Sequence, residues 1–425
     1  MSARRDLRHA ALLTAANLAT MLLPLAALPL LAQRVGVHAF GQIALAQTVG
    51  MIAALLVDAG FNAESMRATG ASGLRAPLQP LLDNVLARSR LALPAAALTL
   101  LGGVWVPGLP LAAVALSLLQ LLGTLLFAQW WLIACGRSAL LLALQLAGRL
   151  AALGGIVLWV HGPQDLLLAV ALQCGATALS GLLFVAVALL PRARELAALD
   201  RHGHRAYLAR VRPAIGPGFA AALSSYAPQL LLGGVAGPQQ VGLYAAAEKI
   251  VRAIAFAVSS LDQAFLAPVA RRAGGHVDGH GHGHGDRDRD RDGARRLAMR
   301  VVGGLFAVTA LGGGVLALLA APLLPRLFGP AFAGSVGVLA VLCAWLPSYA
   351  ARRAFVNLRL SADGRIGLVG RSQSVEAIAT TGGSAIGALA GGAIGAACGL
   401  VAAEAVCWLA LRLLLRPLAS PVHVA

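Results

Sequence analysis

The chain has 425 residues, of which 59% are hydrophobic and only 12% are charged, and its mean hydropathy is +0.78. A soluble protein of this length does not need such an apolar composition, so the soluble globular classes are excluded. The formal net charge of +17 would indicate a nucleic-acid partner in a soluble chain. Here most of the charges lie between long apolar runs, so no nucleic-acid partner is expected.

Long apolar runs follow one another along the chain, and several approach or exceed the roughly 20 residues that cross about 30 Å of hydrocarbon. They predict an all-α polytopic membrane protein with about twelve transmembrane helices. The first run follows the basic segment Met1–His9 and is too long for a signal-peptide core, so we interpret it as an uncleaved span. The predicted spans lie near residues 11–32, 41–60, 86–105, 109–134, 139–160, 165–190, 213–235, 241–268, 297–322, 334–356, 366–389 and 393–415.

The distribution of arginine predicts the orientation of these spans. Connections after odd-numbered spans are short and carry only Arg34 and Arg326, whereas connections after even-numbered spans are rich in arginine. Because cytoplasmic loops carry an excess of Lys and Arg, both termini are expected in the cytoplasm. The arginines assigned to cytoplasmic connections in this way include Arg67, Arg75, Arg88, Arg90 and Arg137, six within residues 192–212, and Arg352, Arg353, Arg359 and Arg365.

The polar connection Pro191–Pro213 separates six predicted spans from six. It predicts an N-terminal six-helix bundle (residues 1–195), a cytoplasmic linker (196–212) and a C-terminal six-helix bundle (213–425). The segment GVHAFGQIALAQ, which begins at Gly36, aligns with GPQQVGLYAAAE, which begins at Gly237, and places Gly41 over Gly242. The match favours parallel repeats with a site between the two bundles near mid-membrane.

A second polar insertion, HVDGHGHGHGDRDRDRDG, lies in the predicted cytoplasmic loop at about residues 273–294. Glycines between its histidines leave no preformed ligand geometry, and its alternating Asp and Arg largely neutralise each other. We therefore interpret it as a disordered loop in preference to a metal sensor. The five cysteines lie in or next to predicted spans without metal-ligand spacing. No metal and no cofactor are predicted.

The predicted eighth span contains charges in an apolar helix, GLYAAAEKIVRAIAF. Glu248 and Arg252 are four residues apart in the order that favours pairing, which would leave Lys249, the only lysine, uncompensated. Arg252 and Arg149 are each about ten residues into a span, roughly 16 Å deep. Arginines at this depth are costly, so we expect a substrate-binding cationic cavity formed by Arg252, Lys249 and Arg149. The alternative is a Glu248–Arg252 packing pair, with Arg149 bonded to backbone carbonyls.

Four further acidic residues lie within predicted spans: Asp58, Asp262, Glu376 and Glu404. An intramembrane carboxylate is either a protonatable group that couples transport to an ion gradient or a partner in an interhelical hydrogen bond. Asp58 and Asp262 lie near the inner ends of their spans, whereas Glu376 and Glu404 lie deeper. All four are candidate ion-coupling residues.

The predicted outer connections are too short to hold a catalytic domain, the longest lying around residues 324–333. The inner loops contain no HExxH motif, nucleophile elbow or phosphate-binding glycine loop. These observations predict a protein that is not an enzyme.

Several segments, taken together and in order, resemble a known family of membrane proteins. The resemblance is to the polysaccharide-transporter, O-antigen flippase (Wzx-like) family, within the MATE-like multidrug/oligosaccharidyl-lipid/polysaccharide exporter superfamily. It runs along essentially the whole chain, and the His/Asp/Arg-rich insertion departs from it. Its marks are Gly41 with Gly60 and Arg67, Gly242–Tyr244 followed by Ala247–Lys249, LFG at Leu327–Gly329 and DGR at Asp363–Arg365.

The resemblance implies translocation of undecaprenyl-diphosphate-linked oligosaccharide across the bacterial cytoplasmic (inner) membrane by alternating access, often with ion coupling. The pathway would be O-antigen or exopolysaccharide synthesis, and the partners the lipid bilayer, a polysaccharide polymerase and glycosyltransferases. The open alternatives are a lipid II flippase, a cation-coupled multidrug exporter of the same superfamily, and a non-transporting scaffold of a polysaccharide assembly complex.

Overall fold

The computed structural model describes residues 2–58, 60–62, 64–65, 78–200, 203–274, 284–360, 363 and 365–415. Helices are the only regular structure in these ranges, which contain no strand. The predicted all-α fold class is therefore confirmed. The α-helices in chain order are α1 Ser2–Asp58, α2 Leu78–Val104, α3 Leu111–Leu126, α4 Gln129–Ala134, α5 Ser138–Trp159, α6 Leu166–Phe184, α7 Ala193–Ala197, α8 His204–Gly274, α9 His284–Phe328, α10 Ser335–Ala354 and α11 Ile366–Leu415.

Short helical turns extend or precede several of these helices. A π-helical turn, Val185–Leu189, continues α6, and a second, Phe355–Leu360, continues α10. Turns of 3₁₀-helix occur at Pro163–Asp165, Leu190–Arg192 and Pro330–Phe332. Of the predicted His/Asp/Arg-rich loop, residues 275–283 lie outside the described residues, and α9 begins at His284.

Glycines interrupt three of the long helices. The breaks lie at Gly36 in α1, at Gly237 in α8 and at Gly391 with Gly392 in α11. They divide the described helices into twelve segments of 16 residues or more, the number of spans that the sequence predicts. Eight described helices are long and apolar enough to cross a membrane by length and composition. Large apolar side chains such as Leu318 (82% exposed) lie on their surfaces, as lipid-facing residues do.

The first two breaks share one backbone conformation. Gly36 has φ 76° and ψ 173°, and Gly237 has φ 79° and ψ 174°. This region of φ/ψ space is essentially restricted to glycine. The two residues are the ones that the sequence alignment places at equivalent positions, so the weak sequence repeat corresponds to a local structural repeat.

A close backbone crossing lies beside these two breaks. A Cβ added at Gly41 would lie 1.8 Å from the carbonyl oxygen of Pro238, and one added at Gly242 would lie 2.2 Å from that of Val37. Val37 and Pro238 occupy equivalent positions in the repeat, as do Gly41 and Gly242. The two contacts are therefore reciprocal, as a pseudo-two-fold relation between the helices requires.

Spatial contacts divide the chain into two compact units, which are described separately. Unit 1 comprises Met1–Gly242 with Leu327–Ala331, and unit 2 comprises Leu243–Arg326 with Phe332–Ala425. In unit 1, α6 packs against α3 and α5, and α1 packs against α3 and α5. Aromatic residues fill one core of this unit, where Phe184 contacts Phe127 and Trp131 edge-on.

The start of α8 is held against unit 1 by a buried tyrosine. The Tyr207 hydroxyl lies 2.5 Å from Ser65 Oγ, accepts a hydrogen bond from Asn84 Nδ2 at 3.2 Å and donates one to the Phe61 carbonyl at 3.2 Å. The Tyr207 ring packs with Phe61 and Val211. The C-terminal part of the predicted linker is therefore a helical turn anchored to α2 and to the chain after α1.

In unit 2, α10 packs against α11, and small apolar residues fill the core between α9 and α10. The two arms of α11 on either side of its glycine break pack closely. A Cβ at Gly387 would lie 2.0 Å from the Gly395 carbonyl oxygen. Small residues allow this helix approach, as is common in membrane interiors.

Candidate functional site

The charged pair predicted on α8 forms within unit 2. Arg252 donates to Glu248 Oε1 from Nε at 2.7 Å and from Nη2 at 2.6 Å. Glu248 is buried at 5% exposure, whereas the Arg252 side chain is 38% exposed. One turn before Glu248, Tyr244 is fully buried, and its hydroxyl has no hydrogen-bond partner among the described residues. Lys249 is half-buried and interacts with at least one other group. It is therefore not the isolated charge that the sequence suggests.

A buried cluster of three charges joins α10 to α11 in unit 2. Arg352 Nη2 lies 2.9 Å from Glu376 Oε1, and Arg352 Nε lies 2.5 Å from Glu404 Oε1. Arg352 is 2% exposed, and the side chains of Glu404 and Glu376 are 3% and 24% exposed. One guanidinium therefore faces two carboxylates. A single proton or monovalent cation would neutralise the cluster.

The assignment of Arg352 to a cytoplasmic connection is wrong. Arg352 lies in the last turn of α10, and its guanidinium points into the protein because both carboxylates of α11 bind it. The sequence indicates Glu376 and Glu404 as buried acids but gives no sign that one arginine serves both. This partner is 24 residues from one acid and 52 from the other.

A third of the predicted intramembrane acids, Asp58, is also paired with a buried arginine. Arg88 of α2 binds the Asp58 carboxylate and donates to Asn62 Oδ1 at 3.0 Å and to the Thr124 carbonyl at 3.2 Å. Arg88 is 1% exposed and lies over the Phe61 ring at 5.7 Å. The assignment of Arg88 to a loop is therefore also wrong, since its pairing draws it into unit 1. The side chain of Asp262 lies outside the described residues.

Arg149 lies inside unit 1 and differs from the other deep arginines. It lines a small cavity with apolar side chains of α1 and α5 and with Gln173 of α6. Within the described part of the chain, no hydrogen bond or ion pair of its guanidinium is present. The alternative prediction, that it bonds to free carbonyls across helices, therefore has no support in the described residues. Gln173 was not singled out from sequence, although an amide inside the apolar run LLLAVALQCGATALSG is a signal that could have found it.

Solved structures share this fold over nearly the whole chain. Lipid II flippase MurJ in an inward closed conformation aligns with a TM-score of 0.66 at 13% identity, over 97% of this chain and 88% of that chain. An inward-facing MATE-family multidrug resistance transporter of the MOP superfamily gives a TM-score of 0.58 at 15% identity, over 96% and 95%. The eukaryotic MATE transporter AtDTX14 gives 0.57 at 11% identity, over 98% and 96%. No curated protein matches the sequence.

The shared fold, together with helices long and apolar enough to cross a membrane, defines a multi-pass helical membrane protein. These relatives are transporters, in agreement with the prediction of a non-enzymatic protein. Residues 7–273 match the family of polysaccharide biosynthesis proteins, which is more than half of the chain. This protein belongs to that family.

Proposed function

We propose that the protein translocates undecaprenyl-diphosphate-linked oligosaccharide from the inner to the outer leaflet of the bacterial cytoplasmic membrane by alternating access. Family membership supports a role in polysaccharide synthesis, and the fold supports translocation. The observation that carries the substrate class is Arg149, a guanidinium inside unit 1 without a carboxylate partner among the described residues. A diphosphate supplies the counter-charge that such a residue needs.

Arg149, Arg252 and Lys249 are proposed to bind the anionic headgroup of the substrate. Arg252 supports this role because its side chain is 38% exposed even while it is paired with Glu248. An arginine guanidinium suits a phosphoryl group, because its planar N–H donors match phosphate geometry. The lipid tails would stay in the bilayer while the headgroup crosses.

Ion coupling is proposed at the Arg352 cluster. Its two carboxylates exceed its one guanidinium by one negative charge, and Glu376 is the more exposed acid. Binding and release of one proton or monovalent cation at Glu376 would change the charge of the cluster during transport. Replacing Glu376 with Gln is expected to make the flipping rate independent of an imposed proton or sodium gradient. If Glu376→Gln flips lipid with the same dependence on the gradient as wild type, the assignment of ion coupling to Glu376 is wrong.

Asp58 is a weaker coupling candidate because Arg88 and Asn62 already bind its two carboxylate oxygens. A coupling role for Asp262 is proposed on sequence grounds alone. Both termini are proposed to be cytoplasmic from the arginine distribution. A polysaccharide polymerase and glycosyltransferases are the proposed partners, in O-antigen or exopolysaccharide synthesis.

A second candidate substrate is lipid II. The alignment with MurJ, which has a TM-score of 0.66, favours it as the runner-up. A multidrug exporter is the third reading and rests on the likeness to MATE transporters. A non-transporting scaffold of an assembly complex would share the family but would move none of these substrates.

Reconstitution into proteoliposomes separates these four functions. Fluorescent undecaprenyl-diphosphate oligosaccharide, lipid II and a cationic dye are offered to the same preparation of wild-type protein. We expect fast movement of the oligosaccharide lipid and little or none of the others. Selective movement of lipid II or of the dye would replace the proposed function by the corresponding alternative. Movement of none of them, in vesicles in which a known flippase is active, would favour the scaffold.

A further inference from the structure

A small cavity inside unit 1 is lined by two polar side chains with donor groups that no described residue satisfies. Its walls are apolar and include Leu23 of α1 and Ile156 of α5. Arg149 of α5 and Gln173 of α6 complete the lining. Because α5 and α6 pack against each other, both polar groups are fixed on neighbouring helices.

The amide of Gln173 is nearly excluded from solvent, with the residue only 7% exposed. Its Nε2 has no hydrogen-bond partner among the described residues. Buried amides are nearly always hydrogen-bonded in native proteins, so an unsatisfied one needs an explanation. Arg149 beside it likewise has no hydrogen bond or ion pair within the described residues.

The free groups define the chemistry of the missing partner. A guanidinium has only donors, and the unsatisfied atom of Gln173 is also a donor. Two donor side chains that line one largely apolar cavity favour an acceptor, and the positive charge favours an anionic one. An oxyanion with two or more oxygens matches both requirements.

We propose that Arg149 and Gln173 form an oxyanion subsite within unit 1. The group it binds is either a phosphoryl oxygen pair of the lipid diphosphate or the carboxylate of an acidic sugar in the oligosaccharide. The proposal rests on the proposed function and adds a second binding residue, Gln173. The guanidinium supplies charge, and the amide fixes the orientation of the bound group.

Four variants in lipid nanodiscs test the subsite: Arg149→Gln, Gln173→Leu, Gln173→Glu and the control Gln120→Leu. Gln120 is a second buried glutamine of unit 1 with an unsatisfied amide oxygen, and it does not line this cavity. The two probes are undecaprenyl diphosphate without sugar and a lipid-free uronic acid oligosaccharide. Binding constants are measured for each variant with each probe.

We expect Arg149→Gln and Gln173→Leu to weaken binding of one probe by about ten- to a hundred-fold, since each removes a hydrogen bond to a charged group. The affected probe identifies the oxyanion as phosphoryl or carboxylate. Gln173→Glu should weaken binding of the same probe at least as much, because the new carboxylate would form an ion pair with Arg149. The same variant should melt at or above the wild-type temperature, since it gives Arg149 a partner.

If Gln173 has only a structural role, a different pattern of binding is expected. Gln173→Leu and Gln173→Glu would then bind both probes as tightly as Gln120→Leu does, and this result would overturn the subsite. The comparison does not depend on transport. If wild-type protein binds a probe through Gln173 but flips no lipid, the subsite stands and the proposed function fails.

Discussion

The reciprocal crossing at Gly41 and Gly242 gives a quantitative prediction for substitution by alanine. In Gly41→Ala, the new Cβ would lie 1.8 Å from the Pro238 carbonyl oxygen and 2.8 Å from the Gly242 nitrogen. Ordinary contact begins at 3.4 Å, so the two segments must separate by at least about 1.6 Å. Both obstructing atoms are backbone, so no change of rotamer can relieve the clash.

Overpacking of this kind costs about 1–3 kcal/mol. The large separation that Gly41→Ala requires places its cost at the upper end of this range. Gly242→Ala requires a smaller separation, at least about 1.2 Å, because its nearest atom is the Val37 oxygen at 2.2 Å. The double variant should cost less than the sum of the two, since one separation relieves both clashes. Gly41→Ala is therefore expected to melt lowest of the single variants.

Gly234→Ala on the same helix, α8, is the matched control. Nothing lies within 4 Å of the Cβ position at Gly234, and alanine is favoured over glycine inside a helix by about 0.5–1 kcal/mol. Thermal unfolding of the purified variants in one detergent gives the order of stability. The close crossing would be refuted if Gly41→Ala and Gly234→Ala had the same melting temperature. It would also be refuted if the destabilisation in the Gly41→Ala/Gly242→Ala double variant equalled the sum of the two single effects.

Three further experiments test the buried charges and the glycine break. Arg352→Leu leaves the carboxylates of buried Glu404 and partly buried Glu376 unpaired and should cost about 3–5 kcal/mol. Glu376→Gln should be near neutral, and equal melting temperatures of these two variants would contradict the pairing. Arg88→Leu should destabilise the protein by a similar amount, and adding Asp58→Asn should partly restore its stability. If a double-mutant cycle shows no such rescue, Arg88 and Asp58 are not coupled. Gly237→Ala should lower the melting temperature by a strain of about 1–3 kcal/mol, and an unchanged temperature would show that φ 79° is not required there.

The helices and their breaks could largely be predicted from sequence. Apolar runs of membrane-spanning length dictate helices because hydrocarbon leaves backbone groups no other partner. The gaps between predicted spans at residues 236–240 and 390–392 contain the second and third breaks, at Gly237 and at Gly391 with Gly392. Glycine marks these positions because few other residues adopt the required conformation or allow the close approach.

Burial of individual arginines could not be predicted in the same way. The arginine distribution assigns Arg88 and Arg352 to cytoplasmic connections. Both are buried because carboxylates distant in sequence bind them, 30 residues away at Asp58 and 52 away at Glu404. By contrast, the Glu248–Arg252 pair is local to one helix, and its spacing predicted it correctly.

The most direct test of the account is the flipping rate of labelled undecaprenyl-diphosphate oligosaccharide in proteoliposomes. Wild-type protein is compared with Arg149→Glu and Arg252→Glu, each checked for a monodisperse folded form. The account predicts rapid flipping by wild type and at least a tenfold loss in both variants, because each replaces a cation that is proposed to bind the diphosphate by an anion. Equal flipping by all three folded proteins would contradict the cationic binding site.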